Sequence, residues 1–305
     1  VHIDLTLAVA GALVGILVGL TGMGGGALLT PLLVLFFHVP PLAAISSDLV
    51  TSLVMKPIGA AVHLRRKTVQ TGLLGWLALG SVPAAFLGSM LIGRIGHRSG
   101  VQADLKLVIG IALLGSLSCT VVRQLIDRRS SAGRTAGTFV VHPVRTVAIG
   151  VLGGFAVGVT SVGAGSLIIA LLLLAYPRLS PSQLVGTDIV QAIPLVASAA
   201  LGHLLFGDVQ FAVTASLLVG ALPGVYLGAR LSAQAPAGVT RPIISAVLLA
   251  SALALLHTPT GVVVLAAIGT GIGMALLGRT VPVRTGFPRR SVAAKPDEVV
   301  LASHS

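Results

Sequence analysis

Asp48 and Asp188, His63 and His203, and the solitary Lys56 are the residues of this chain that stand out as carriers of chemistry. They lie in otherwise apolar runs, where an ionisable side chain is costly unless it is paired, hydrated or used. Each aspartate closes a small polar triplet, Ser-Ser-Asp at 46–48 and Gly-Thr-Asp at 186–188, at the start of an apolar helix. Two readings fit: a carboxylate that satisfies free N–H groups at a helix start, or a group that relays a proton or ion. Lys56 lies about 12 Å along a helix beyond Asp48, and either pairs with a carboxylate or binds an anionic substrate. Each histidine follows its aspartate by about 22 Å of helix, so the Asp and His of one helix do not touch. The imidazoles can move protons near neutral pH or interact with the last carbonyls of a helix.

Two glycine-rich stretches offer a different chemistry. Thr21-Gly22-Met23-Gly24-Gly25-Gly26 and Thr160-Ser161-Val162-Gly163-Ala164-Gly165 are too rich in glycine to continue a helix. The first superficially resembles a phosphate loop, yet it follows no strand and lacks the Lys-Ser/Thr that would hold phosphate and Mg²⁺. At membrane depth an unwound segment must be buried in protein or line a wet cavity. Its N–H groups, with the positive end of the following helix, suit an anion; the competing reading is close helix packing through small residues. On the anion reading Thr21, Gly22, Gly24, Gly25, Gly26, Thr160, Ser161, Gly163 and Gly165 bind substrate together with Lys56. No metal site is expected, because the His and Asp residues lack ligand spacing and Cys119 is solitary. No G-x-S-x-G or H-E-x-x-H run supports an enzyme, and no cofactor is called for.

These residues belong to a duplication. Gly11, Gly15, Gly19, Thr21, Gly24 and Gly26 reappear 139 positions later as Gly150, Gly154, Gly158, Thr160, Gly163 and Gly165. After one inserted residue the offset becomes 140, and Asp48, His63, Gly80, Pro83 and Gly88 recur as Asp188, His203, Gly220, Pro223 and Gly228. Val196 stands where the second copy would carry a lysine. Internal duplication in an apolar chain is the usual build of a secondary transporter.

The elements that must hold these groups are membrane helices. Only 9% of the 305 residues are charged and 55% are hydrophobic, with a mean hydropathy of +1.02, far below the charge content of a soluble domain. The formal net charge of +12 does not mark a nucleic-acid binder. Its arginines gather in one linker and the tail, where they act as topogenic loop charge. The fold class expected is all-α, a polytopic membrane protein of two homologous halves. Helices are predicted over 5–20, 27–37, 42–64, 70–93, 104–122, 145–160, 164–176, 181–205, 209–232, 240–257 and 260–277. The halves span 1–123 and 145–278, separated by a basic linker at 124–144 and followed by a basic tail at 279–305; linker and tail are expected to be mobile. The run at 5–20 has no basic n-region and reads as a retained membrane element. The first two helices of each half are short for a 30 Å core, so each half is expected to hold a broken or re-entrant helix. With linker and tail both inside, parity of crossings favours a hairpin and inverted halves, although Arg94 and Arg98 then fall outside.

The paired glycine breaks, Ser-Ser-Asp-Leu-Val against Gly-Thr-Asp-Ile-Val, and Ala-Val-His-Leu-Arg-Arg-Lys-Thr-Val against Leu-Gly-His-Leu-Leu-Phe-Gly-Asp-Val resemble the TauE/SafE sulfite-exporter family. The likeness covers about residues 8–277; Met23, Ala164 and Lys67 depart from it, standing where glycine is more familiar. The resemblance implies a multi-pass protein of the bacterial inner membrane that exports sulfite, sulfoacetate or a similar small sulfur anion. Asp48, Asp188, His63 and His203 are the expected proton-coupling groups. The partners expected are the lipid bilayer and a small anion, with no nucleic acid; a homo-oligomer is compatible. The rival reading is a membrane accessory subunit or membrane enzyme, for which no partner-binding domain or catalytic constellation is visible.

Overall fold

Eleven α-helices and no strand make up the described residues of the computed structural model, which are 3–21, 25–65, 69–98, 100–129, 141–163, 165–177, 179, 181–231 and 237–279. The first half comprises α1 (Leu5–Thr21), α2 (Gly26–Leu35), α3 (Pro41–Arg65), α4 (Thr71–Ile95) and α5 (Val101–Arg129). The second comprises α6 (Pro143–Thr160), α7 (Leu167–Ala175), α8 (Pro181–Phe206), α9 (Phe211–Leu231) and α10 (Ala237–Leu255), and α11 (Thr260–Arg279) follows without a counterpart. Within α4, α5, α6, α8 and α9 there are stretches long and apolar enough to cross a membrane. The protein is therefore a polytopic membrane protein. At 18 residues α6 reaches that length, which the other short helices, α1, α2 and α7, do not. α5 runs on to Arg129, past the expected boundary at 123, because Arg123, Gln124 and Leu125 are good helix formers. The rest of the linker, 130–140, and the tail beyond Arg279 lie outside the described residues.

The halves are interleaved rather than side by side. α1 packs on α9, and its counterpart α6 packs on α4. α3 meets both α8 and α9 while α8 meets both α3 and α4, and α2 packs on α10 as α7 packs on α5. Exchanging the halves returns the same pairings, and hydrogen bonds obey the same exchange. The Gln70 N–H at the start of α4 donates to Thr187 Oγ1 at 3.0 Å, and the Gln210 N–H before α9 donates to Ser47 Oγ at 3.2 Å.

Glycine makes the two seams possible. A Cβ on Gly11 or Gly15 would stand 2.6 Å from the carbonyl oxygens of Leu217 or Ala221, inside the contact limit. In the duplicate seam a Cβ on Gly150 would stand 2.5 Å from the Leu77 oxygen. Hydrophobicity does not drive helix against helix in lipid, so close backbone approach supplies the packing energy instead.

The second glycine-rich stretch turns the chain back on itself. Tyr176, just past α7, places its hydroxyl 3.0 Å from the His142 N–H and 2.5 Å from Thr146 Oγ1, at the opening turn of α6. Straight continuation over the intervening residues would separate these groups by about 50 Å. α6 and α7 therefore form a helical hairpin. Its turn uses left-handed backbone at Ser161 (φ 59°), Gly163 (φ 113°) and Gly165 (φ 103°).

Candidate functional site

Both aspartates lie about two turns into long helices, because α3 begins at Pro41 and α8 at Pro181. Neither carboxylate caps its own helix. Asp48 is fully buried and reaches outward to two other elements. Its Oδ2 accepts a hydrogen bond from Thr30 Oγ1 of α2 at 2.7 Å and another from Ser161 Oγ at 2.7 Å, and its Oδ1 accepts from Ser52 Oγ at 3.2 Å. Burying an ionised carboxylate is tolerable only with such donors. Thr30 follows the first break and Ser161 opens the second, so one carboxylate joins the broken elements of both halves.

The breaks also touch directly. A Cβ on Gly26 would stand 2.7 Å from Ser161 Oγ and would collide with the Ser161 carbonyl oxygen. A Cβ on Gly25 would stand 3.2 Å from Ser52 Oγ and 3.8 Å from Asp48 Oδ1. Glycine at 26 is thus required by the approach of the other half, whereas a methyl group at 25 would press on Leu29 and Ser52 of its own half. Thr160 serves the turn itself: its Oγ1 donates to the Ala156 carbonyl at 2.7 Å and accepts from the Val162 N–H at 3.1 Å. The Gly163 carbonyl accepts from the Leu167 N–H at 3.1 Å, starting α7. Gly22, Met23, Gly24 and Ala164 lie outside the described residues, as does the side chain of Thr21.

Lys56 is half-buried on α3. Both buried aspartates act electrostatically on its ammonium, Asp188 of the other half more strongly than Asp48 of its own helix. Asp188 itself is buried. Three residues further along α8, Gln191 is fully buried with its Nε2 on Ser81 Oγ of α4.

His203 is fully buried and engaged at both ring nitrogens. Nε2 lies 2.9 Å from the Gly158 carbonyl oxygen, which only accepts, so this nitrogen donates. Nδ1 lies 2.8 Å from Ser46 Oγ, which in turn accepts the Asp208 N–H at 3.3 Å. The imidazole thus holds α3, α6 and α8 together two residues from the second break. His63 falls in α3, its side chain outside the described residues.

Thr30, Ser52 and Gln191 went unnoticed in the sequence, and Ser46 was marked only as part of the Ser-Ser-Asp triplet. The signal for the serines was there: Ser46, Ser47, Thr51 and Ser52 surround Asp48 within two helical turns of an apolar helix, a concentration of hydroxyls that invites a buried charge. For Thr30 and Gln191 no pattern pointed the way.

A polytopic membrane protein in which two duplicated halves bring their helix breaks together around one buried carboxylate has the build of the transporters. The chain matches the Sulfite exporter TauE/SafE family over residues 7–255 and belongs to that family. It is 36% identical over 259 residues to the Probable membrane transporter protein YjnA of Bacillus subtilis, an alignment that covers 83% of this chain and all of that one. It is 29% identical over 247 residues to YdhB of the same organism, also named a probable membrane transporter protein, across 79% of this chain and 94% of the relative. No solved structure matches the chain.

Proposed function

We propose that this protein is a secondary transporter of the bacterial inner membrane that exports a small sulfur-containing anion, such as sulfite or sulfoacetate, at the expense of the proton gradient. The observation that carries the reading is the Asp48 clasp, in which one carboxylate accepts hydroxyls from α2 of the first half and from the break of the second. Charge-assisted hydrogen bonds are about twice as strong as neutral ones. A charged Asp48 therefore grips Thr30 and Ser161 tightly, and a protonated Asp48 grips them weakly. The hydroxyls can also reverse and accept the acid's own proton. Protonation thus alters the hold between the halves, the kind of bistable contact that alternating access requires. Lys56 supplies positive charge for the anion, and the start of α2 at Gly25 and Gly26 together with the turn at Gly163 and Gly165 supplies N–H groups.

In this reading the halves have inverted orientation, as the parity of crossings favours; the exchange of helix pairings accords with any two-fold relation between them. Labelling single cysteines at the linker and the tail in a Cys119→Ala background checks it; finding the two on opposite faces would remove the inversion.

The direct test uses the purified protein in liposomes with labelled sulfite. Asp48→Asn keeps hydrogen-bonding capacity and loses the titration, so it should abolish flux driven by a pH gradient and preserve exchange of labelled for unlabelled sulfite. Full gradient-driven flux in Asp48→Asn would end the proton role of this group. A wild-type protein that moves none of sulfite, sulfoacetate or thiosulfate would end the substrate assignment.

A further inference from the structure

Gln191 is fully buried, yet its Oε1 has no hydrogen-bond partner among the described residues. Buried polar atoms are almost always paired, and an exception asks for an explanation such as strain, a functional role, or a water or ion that binds there. The other end of the amide meets Ser81 Oγ. Ser89 and Ser216 each return their hydroxyl proton to a carbonyl one turn back. For Ser81 that acceptor would be the Leu77 carbonyl, and no bond from Ser81 Oγ to it is present among the described residues. The Ser81 proton is thus free to point at Gln191. Turning the amide over lets Ser81 donate to Oε1 and leaves Nε2 as the open end, with both of its N–H donors free. Donors are what an oxyanion takes.

The placement agrees with the chemistry. Gln191 lies one helical turn beyond Asp188 on α8, and the charge of Asp188 acts on Lys56 of α3, the helix packed against α8. The duplication sharpens the point. The first-half counterpart of Gln191 is Thr51, whose hydroxyl is closed onto the Ser47 carbonyl at 2.8 Å. The second-half counterpart of Lys56 is the apolar Val196. Each half thus offers one polar group where the other half is inert: an ammonium from α3 and a neutral donor from α8.

We infer that Gln191 is a substrate ligand, its amide donating N–H bonds to an oxygen of the transported sulfur oxyanion while Lys56 supplies the opposite charge. This rests on the export reading and adds to it a neutral donor that selects oxygen-bearing anions over spherical ones.

Sulfite uptake kinetics in liposomes, with sulfite-induced thermal stabilisation of the purified protein, test it. Gln191→Leu should raise KM for sulfite on the order of 10- to 100-fold, the worth of a hydrogen bond to a charged group, with a smaller change in Vmax. Chloride, tested as a competitor, should lose less than sulfite does. Gln191→Glu is nearly isosteric and puts a negative charge at the site, so it should abolish stabilisation by sulfite. Ser81→Ala, which removes only the group that orients the amide, should raise KM a few-fold. A merely structural tether predicts the opposite split, with a lower melting point and Vmax and an unchanged KM in Gln191→Leu. Should Gln191→Leu fail to fold, a wild-type sulfite response in Gln191→Glu overturns the inference by itself. A wild-type protein indifferent to sulfite, thiosulfate and sulfoacetate overturns the export reading and this inference together. Wild-type transport of sulfite with unchanged KM in both Gln191 variants overturns this inference alone.

Discussion

Asp48 and Asp188 occupy the same place in two copies of one fold, and their surroundings have diverged. Asp48 is held by hydroxyls of Thr30, Ser52 and Ser161; the corresponding positions of the other half are Ile169, Ala192 and Gly22. Asp188 acts electrostatically on the ammonium of Lys56, whose own counterpart is Val196. A carboxylate compensated by hydroxyls can gain a proton and keep its partners, because a hydroxyl both donates and accepts. A carboxylate that acts on a nearby ammonium is coupled to it, and neutralising either one removes a countercharge from the other. The backbone seams, by contrast, remained alike: Gly11 and Gly15 lie on α9 as Gly150 and Gly154 lie on α4. Duplication supplied a symmetric frame, and side-chain divergence gave the two aspartates different surroundings; on the proposed function Asp48 is the moving charge and Asp188 the fixed one.

The comparison breaks most visibly at Lys56. Lys56→Met should reduce sulfite transport to background, a loss of about a hundredfold or more if the charge is worth 3 kcal/mol to the anion, whereas Lys56→Arg should keep part of it. The joint change Lys56→Met with Asp188→Asn removes both charges and so restores neutrality. It should remain folded and inactive; recovery of transport would reduce Lys56 to a countercharge. A smaller loss, on the order of tenfold, is expected of Asp188→Asn, and it should fall equally on exchange and on gradient-driven flux. Selective loss of the gradient-driven component in Asp188→Asn would transfer the moving charge to the second half.

Stability should instead show the symmetry. Gly15→Ala and Gly154→Ala each force a methyl group against a facing backbone, and each should cost about 1–3 kcal/mol in thermal unfolding in detergent. Gly75→Ala, where the added Cβ meets nothing within 4 Å, should be neutral or stabilising by up to about 1 kcal/mol. Unequal costs at 15 and 154 would show that one seam carries more of the packing than the other.

The helices and the breaks were legible because glycine, proline and polar residues survive at fixed offsets in an apolar background. The interleaving of the halves was not, since Gly11, Gly15 and Gly19 look the same whether they face their own half or the other. Asp48, Asp188, Lys56 and His203 announced themselves by charge in apolar runs. Their partners did not. Looking for residues kept in both copies discarded Thr30, Ser52 and Gln191, whose counterparts Ile169, Ala192 and Thr51 differ. Likewise Lys56 is eight residues from Asp48 in the chain, yet feels Asp188 more strongly, a relation that only the packing of α3 on α8 creates.

The finest test concerns a single hydroxyl. Ser52 Oγ is the longest of the bonds to Asp48, at 3.2 Å, and the one that serves Oδ1; Thr30 and Ser161 both serve Oδ2. Ser52→Ala reproduces at Asp48 what the second half already has at Ala192. It should cost about 1 kcal/mol of stability, the net worth of one intramolecular hydrogen bond, because Oδ1 is left without that donor in a buried site. The clasp on Oδ2 survives, so exchange of sulfite should continue near the wild-type rate. Gradient-driven flux should weaken, because the charged form of Asp48 has lost one of the donors that distinguish it from the neutral form. If stability and both fluxes are indifferent to Ser52→Ala, the hydroxyl on Oδ1 does not separate the two aspartates, and the difference between them must lie with Lys56.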